Sequence, residues 1–141
     1  MPVEVPGDKK SVPSGLWTKC EKCNEIIYNK ELRKNFRVCP KCGHYFRLTA
    51  KQRIKLLLGR GSFEEEDANL KTSDPLRFAA VQSYRNRVKQ DQKKTGLNEA
   101  VITGEGKIGK HTIALAVLDF DFMGGSMASV VGEKVTRIIE K

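Results

Sequence analysis

Four cysteines, Cys20, Cys23, Cys39 and Cys42, stand as two C-x2-C pairs with fifteen residues between them. Each C-x-x-C turn sets two sulfurs on one side of a tight loop, and two facing turns complete a tetrahedron of thiolates around Zn2+. Asn24 and Gly43 follow the second cysteine of each pair, where the backbone often needs a positive φ. Lys22 and Lys41, inside the two turns, are expected to lower the thiol pKa values and offset the charge of a four-thiolate site. A disulfide pairing competes with this but suits an oxidising compartment. A redox C-x-x-C also competes, but it calls for one pair in a βαβ setting, not two matched pairs. Four sulfurs close the coordination shell, so the metal is structural and leaves His44 for a hydrogen bond within the knuckle. The module from about Leu16 to Phe46 has too little apolar surface to fold without that metal.

A chain of 141 residues has room for such a module and part of a larger domain. Its longest apolar run, Ile113 to Leu118, is strand-sized, far below the roughly 18 residues of a spanning helix. The first fourteen residues carry charges and three prolines, with no apolar stretch of the kind a secretory signal needs. The expectation is a cytoplasmic protein with reduced thiols and no membrane association. The net charge of +9 lies entirely in residues 1–60, the rest of the chain being neutral. No acidic residue occurs between Glu31 and Glu64, a stretch that holds Arg33, Lys34, Arg37, Arg47 and Lys51. That basic surface is either a solvated face or a docking face for an anionic partner: nucleic acid, the phosphates of CoA or an acidic protein.

After the cysteine module, Thr49-Ala50-Lys51-Gln52 forms a capping box, and Ala50, Ile54, Leu57 and Leu58 share one helical face before Gly59. This predicts a helix at about 50–58. An acidic linker, Phe63 to Asp67, leads to Ser73-Asp74-Pro75, a helix-start signal, and to a second helix at about 75–93 that stops at Thr95-Gly96. From Glu99 the pattern changes to β-branched and apolar runs, predicting two strands joined near Gly109-Lys110. The second, Thr112 to Leu118, is apolar on both faces, as a strand in the middle of an α/β layer would be. Gly124-Gly125 then makes a strand-to-helix turn, and Val130, Val131, Val135, Ile138 and Ile139 trace a final helical face. Asp119, Asp121 and Glu133 lie near this turn and are expected to be solvated or to cap, since no paired-carboxylate arrangement for acid–base work is visible.

Three separated landmarks, Gly15-Leu16-Trp17-Thr18-Lys19-Cys20, Val38-Cys39-Pro40-Lys41-Cys42-Gly43-His44 and Asp119-Phe120-Asp121-Phe122-Met123-Gly124-Gly125-Ser126-Met127, together resemble one family. With Asp74-Pro75-Leu76, Thr95-Gly96 and Val130-Val131-Gly132-Glu133-Lys134, they are similar in order and spacing to the bacterial acetyl-CoA carboxylase carboxyltransferase beta subunit. The resemblance runs from about Gly15 to the end. It implies a small zinc-ribbon module followed by the incomplete N-terminal part of a crotonase-like α/β domain. The corresponding division is a flexible segment at 1–14, the zinc ribbon at 15–47, a helical connector at 48–96 and the start of the α/β domain at 97–141. The implied activity is transfer of CO2 from carboxybiotin, on a separate carrier protein, to acetyl-CoA, giving malonyl-CoA for fatty-acid synthesis. The implied partners are a carboxyltransferase alpha subunit in an alpha2beta2 heterotetramer, the biotin carboxyl carrier protein and biotin carboxylase.

Such chemistry needs two enolate-like oxyanions stabilised, which backbone N–H pairs in a dry site can do. The family's own glycine pair for this sits in an S-A-S-G-G-A-R-M segment that does not occur in this sequence, so the oxyanion glycines are expected beyond residue 141. Gly124, Gly125 and Ser126 remain as a tight turn or a substrate-binding lining whose N–H groups face an anion. Where the family usually has Gly, this chain has Ala128. The resemblance also links the zinc module to RNA, and Phe36, Tyr45 and Phe46, interleaved with the basic residues, offer stacking faces for that alternative.

Overall fold

A computed structural model describes residues 15–141, so the segment 1–14 expected to be flexible lies outside the described residues. The chain divides into two compact units, the first ending at Arg47 and the second running from Leu48 to Lys141.

In the first unit, β1 (Trp17–Lys19) pairs antiparallel with β2 (Ile26–Tyr28), with Trp17 opposite Tyr28. Their rings lie 5.1 Å apart on the same face. A short helix, α1 (Asn29–Lys34), follows directly and buries Leu32. Phe36 and Arg37 then both adopt positive φ, 52° and 62°, which reverses the chain into the second cysteine knuckle. The buried cluster consists of Cys20, Ile27, Leu32 and Cys39, with Phe46 packed against it.

The second unit opens with α2 (Ala50–Leu57), whose Thr49 side chain and Gln52 side chain complete the reciprocal capping box. Ala50, Ile54 and Leu58 are buried as expected, whereas Leu57 is exposed, one position off the inward stripe. The acidic stretch read as a linker contains a strand, β3 (Glu64–Glu66), paired antiparallel with β4 (Val101–Ile108). A run of three glutamates carries no apolar alternation, so its pairing had no sequence signal. β4 in turn pairs with β5 (His111–Leu118) through a two-residue loop whose first residue, Gly109, has φ 59°. Two glycines of β4 admit close neighbours. A Cβ on Gly106 would lie 2.4 Å from Leu58, and one on Gly104 would lie 2.1 Å from the Glu64 carbonyl oxygen.

One helix boundary needs correction. The helix expected at about 75–93 is α3 (Tyr84–Thr95), nine residues late. Asp74 does start a turn, its Oδ1 accepting from the Phe78 amide at 2.9 Å, but Arg77 at φ 49° ends it. Ser83 is the N-cap instead, accepting from the Asn86 amide, and Gly96 closes the helix in the left-handed conformation at φ 70°. Among the described residues β5 pairs with β4 alone, and Val117 is buried while Ala114, Ala116 and Leu118 are exposed.

The final helix, α4 (Ser129–Glu140), buries Val131 and Ile138 as its apolar stripe predicts, and leaves Ile139 exposed. Phe122, Val131, Val101 and Ala100 join Ala50 and Ile54 in a continuous apolar core, which α2 and α4 complete against β4 and β5.

Candidate metal centre and glycine turn

The two knuckles repeat one hydrogen-bond pattern. The Cys20 amide donates to the Glu25 carbonyl and the Asn24 amide to the Cys20 carbonyl. The Cys39 amide likewise donates to the His44 carbonyl, and the Gly43 amide to the Cys39 carbonyl. Asn24 and Gly43 supply the positive φ, 61° and 71°, that closes each loop. His44 thus serves its knuckle through the backbone, while its ring meets Phe46 edge-on at 5.3 Å.

All four Sγ atoms lie within 4.8 Å of one another. Zn–S bonds of about 2.3 Å at the tetrahedral angle place sulfurs about 3.8 Å apart. The Cys20–Cys42 and Cys23–Cys39 separations are 3.7 and 3.8 Å, each pairing a sulfur of one knuckle with one of the other. These distances are far beyond the roughly 2.04 Å of a disulfide. The donor set, its spacing and the burial of Cys20 and Cys39 fit a structural Zn2+ with no position left for water. The Cys20 thiol is held down at about 6, chiefly by the Cys23 amide and then by the Lys22 amide and neighbouring thiols. The groups that stabilise its thiolate are therefore backbone N–H donors, whereas the lysine charges were expected to do so. Cys23 is pushed up to about 12: the Glu25 amide, the largest influence, favours its thiolate, but burial and the three neighbouring sulfurs prevail. Such crowded thiols deprotonate together only when a cation shares them.

Of the basic residues, Arg33, Lys34, Arg37 and Arg47 belong to the first unit and Lys51 to the second. Arg37 is spoken for, since its guanidinium lies 5.7 Å over the Phe46 ring and its Nη2 donates to the Arg47 carbonyl. Arg33 donates to the Asn29 carbonyl, and Phe36 and Tyr45 stand exposed. Lys51 overhangs a hollow of about 720 Å3 with Lys55 and Arg60, above Ile54, Leu58, Phe63 and Ile102.

The glycine turn is more constrained than its sequence suggests. Met123, Gly124 and Gly125 are all left-handed, at φ 47°, 68° and 73°. Such a run costs a non-glycine residue roughly 1–2 kcal/mol, and two carboxylates hold it. Asp91 of α3 accepts from the Met123 amide at 3.1 Å. Asp119, buried, accepts from the Asp121 amide with Oδ1 and, across 69 residues of chain, from the Ala50 amide with Oδ2 at 2.8 Å. Asp119 thus caps α2 and anchors the turn at once. Of the other two acids near the turn, Asp121 is solvated and Glu133 pairs with Arg137 along α4. The structure places Gly124, Gly125 and Ser126 together on this one turn.

Comparison with known proteins gives a consistent answer. Residues 17–42 match the acetyl-CoA carboxylase zinc finger domain. Over 95% of its length the chain is 50% identical to the acetyl-coenzyme A carboxylase carboxyl transferase subunit beta of Desulforamulus reducens, covering 46% of that protein. It is 48% identical over 96% of its length to the same subunit of Citrifermentans bemidjiense, covering 48% of it. The chain is thus similar to carboxyl transferase beta subunits along nearly all of its length. It spans about half the length of the relatives it matches. In structure, 67% of the chain superposes, with a TM-score of 0.52 and 28% identity, on 16% of a transcarboxylase 12S chain solved with methylmalonyl-coenzyme A and methylmalonic acid bound. The architecture is a zinc ribbon followed by part of a crotonase-like α/β domain, as the sequence resemblance implied.

Two buried charged residues escaped the sequence reading of this beta-subunit relative. Lys134 of α4 is buried and donates to the Val101 carbonyl at 3.0 Å; burial lowers its pKa, opposed by the charges of Glu65, Asp67 and Glu99. Glu99 is buried with Oε1 accepting from the Ala100 amide and Oε2 without a partner; desolvation raises its pKa. Lys134 lies three residues after Val131 and four before Ile138, and this helical spacing on the expected apolar face is the signal that it points inward. No helix among the described residues is long and apolar enough to cross a membrane.

Proposed function

We propose that this chain forms part of the beta subunit of an acetyl-CoA carboxylase carboxyltransferase, which moves CO2 from carboxybiotin to acetyl-CoA and yields malonyl-CoA in the cytoplasm. The observation that supports it best is 50% identity to such a subunit across 95% of the chain. In this role the zinc folds the ribbon and takes no part in the reaction. The second unit supplies the sheet and the glycine turn, whose Gly124, Gly125 and Ser126 line the substrate channel. The oxyanion of the biotin ureido group is met by backbone N–H groups of a glycine pair beyond residue 141. The proposed assembly is an alpha2beta2 heterotetramer that works with biotin carboxylase and the biotin carboxyl carrier protein. The test is malonyl-CoA formation from acetyl-CoA and carboxybiotin. This chain with an alpha subunit should give none, and a polypeptide extended through an S-A-S-G-G-A-R-M segment should give product. No product from the extended polypeptide with its alpha subunit would overturn the proposal.

A second role for the ribbon is supported by the exposure of Phe36 and Tyr45 beside Arg33, Lys34 and Arg47. Stacking faces next to exposed cations suit single-stranded RNA. Binding should then fall steeply with salt on a log–log plot, one counterion released per phosphate contacted. A flat plot removes this role.

A further inference from the structure

Each cysteine knuckle hides one sulfur and shows the other. Cys20 and Cys39, the first of each pair, are 0% and 2% exposed, whereas Cys23 and Cys42 are only half-buried. Each half-buried sulfur touches a buried sulfur of the opposite knuckle, Cys42 against Cys20 at 3.7 Å and Cys23 against Cys39 at 3.8 Å. Zinc closes this shell without making it inert, because a thiolate remains a nucleophile that a peroxide can oxidise. The outer sulfur is where a peroxide arrives. The Cys23 thiolate attacks one peroxide oxygen, the O–O bond breaks, and Cys23 sulfenic acid forms with release of hydroxide. The neighbouring Cys39 thiolate then attacks the Cys23 sulfur, forming the S–S bond and expelling a second hydroxide. Two electrons pass from sulfur to peroxide, and two protons from solvent turn the hydroxides to water. Zinc, left with two ligands, departs. A second peroxide acts on Cys42 in the same way, with Cys20 as the resolving thiolate.

The competing product is a bond inside each C-x-x-C turn. Those turns are already closed by backbone, the Asn24 amide on the Cys20 carbonyl and the Gly43 amide on the Cys39 carbonyl, so a disulfide there would constrain little more. Bonds between the knuckles span 22 and 16 positions and remove far more freedom from the unfolded chain. They also join the two halves of the ribbon that zinc joins. Loss of the metal by this route therefore leaves the ribbon tied at the same place, whereas loss by chelation leaves it untied.

We infer that the four cysteines are a peroxide-sensitive switch in which Cys23–Cys39 and Cys20–Cys42 disulfides replace zinc and keep the ribbon folded. Oxidation also removes the net negative charge of a four-thiolate zinc centre from a unit whose other charges are mainly basic, so the oxidised ribbon is the more cationic form. The switch belongs to the ribbon alone and stands whatever reaction the second unit serves. The experiment treats the full zinc-loaded chain with hydrogen peroxide and follows released zinc with a chromogenic chelator, against a control without peroxide. Trypsin cuts after Lys19, Lys22, Arg37 and Lys41, which puts each cysteine on its own peptide and lets mass spectrometry assign the disulfides directly. The expected result is complete loss of bound zinc, linked peptides for Cys20–Cys42 and Cys23–Cys39, and Trp17 emission held at its zinc-loaded wavelength. Dithiothreitol with zinc should restore the starting state. Dithiothreitol without zinc should shift Trp17 emission to its unfolded wavelength, since neither tie then remains. Zinc retained under excess peroxide overturns the inference. So does zinc loss accompanied by Cys20–Cys23 and Cys39–Cys42 peptides, by sulfinic or sulfonic acids in place of disulfides, or by collapse of the Trp17 signal during oxidation.

Discussion

The two units of this chain reach stability by opposite routes. In the first, half of the buried cluster is metal ligand: Cys20 and Cys39 stand with Ile27 and Leu32, and no other described residue of that unit is buried. In the second, eleven buried residues from Ala50 to Val131 form a core that needs no metal. A module of about thirty residues cannot bury enough apolar surface to offset its chain entropy, so coordination free energy stands in for it. A unit of about ninety can, and it uses buried carboxylates for positioning only. The difference can be broken or sharpened by perturbing each route in turn.

The largest effect should come from removing zinc. Structural zinc in such modules contributes about 10–16 kcal/mol near neutral pH, so chelation, or Cys39→Ser, should unfold the first unit outright. Trp17, the one tryptophan of the chain, lies in that unit and reports on it alone by fluorescence. Far-ultraviolet circular dichroism from α2, α3 and α4 should persist. Loss of both signals together would show that the second unit depends on the first. The mirror experiment is Phe122→Ala, which empties the largest fully buried position of the second core. A cost of about 3–5 kcal/mol is expected, read as a lower denaturant midpoint for the helices while Trp17 and bound zinc stay unchanged.

The same contrast decides what was legible in the sequence. The metal centre could be read to the residue because its information is local: two C-x2-C turns, Asn24 and Gly43 fix the geometry with little help from elsewhere. α2, α4 and the Gly109 hairpin were also legible, since a capping box, an apolar stripe and a glycine between β-branched runs are local signals. What escaped depends on distant partners. β3 is three glutamates that become a strand only because β4 lies alongside. Asp119 looked like a solvated or capping acid near a turn, and its place as the cap of a helix 69 residues away needs the fold to bring Ala50 to it. The start of α3 was misplaced because Asp74-Pro75 carries a true turn signal, and nothing local announces the reversal at Arg77.

Asp119 offers the next prediction. Asp119→Ala leaves the Ala50 and Asp121 amides without their acceptor, and a lost cap or a buried unsatisfied donor costs about 1–3 kcal/mol. Asp119→Asn keeps one carbonyl acceptor and should recover part of the loss. Hydrogen exchange at the Ala50 amide checks it: exchange should quicken in the alanine variant more than at the helix centre. Equal protection in both variants would mean that Thr49 and Gln52 cap α2 unaided.

The smallest effect concerns Glu99 and tests whether the second core tolerates charge at all. Burial raises its pKa above 4.5, with the Ala100 amide and the charge of Lys134 opposing. Folding therefore favours the protonated carboxyl. Its contribution to stability is whole below pH 4.5, where the unfolded chain is also protonated, and it declines as pH rises through the raised folded value. Above that value the deficit is constant. Glu99→Gln has no proton to lose, so its stability relative to wild type should grow across that window and then level off. At neutral pH the variant should be modestly the more stable. The opposite sign would follow if Lys134 drew its main support from the Glu99 charge, since Glu65 and Asp67 also face that ammonium. Urea midpoints for wild type, Glu99→Gln, Lys134→Met and the double variant at pH 4 to 8 separate the two. If desolvation dominates, Glu99→Gln gains stability as pH rises whether or not Lys134 is present. A gain confined to the background lacking Lys134 would instead make the pair a buried ion couple, and the second unit would then share with the first a reliance on charge held inside.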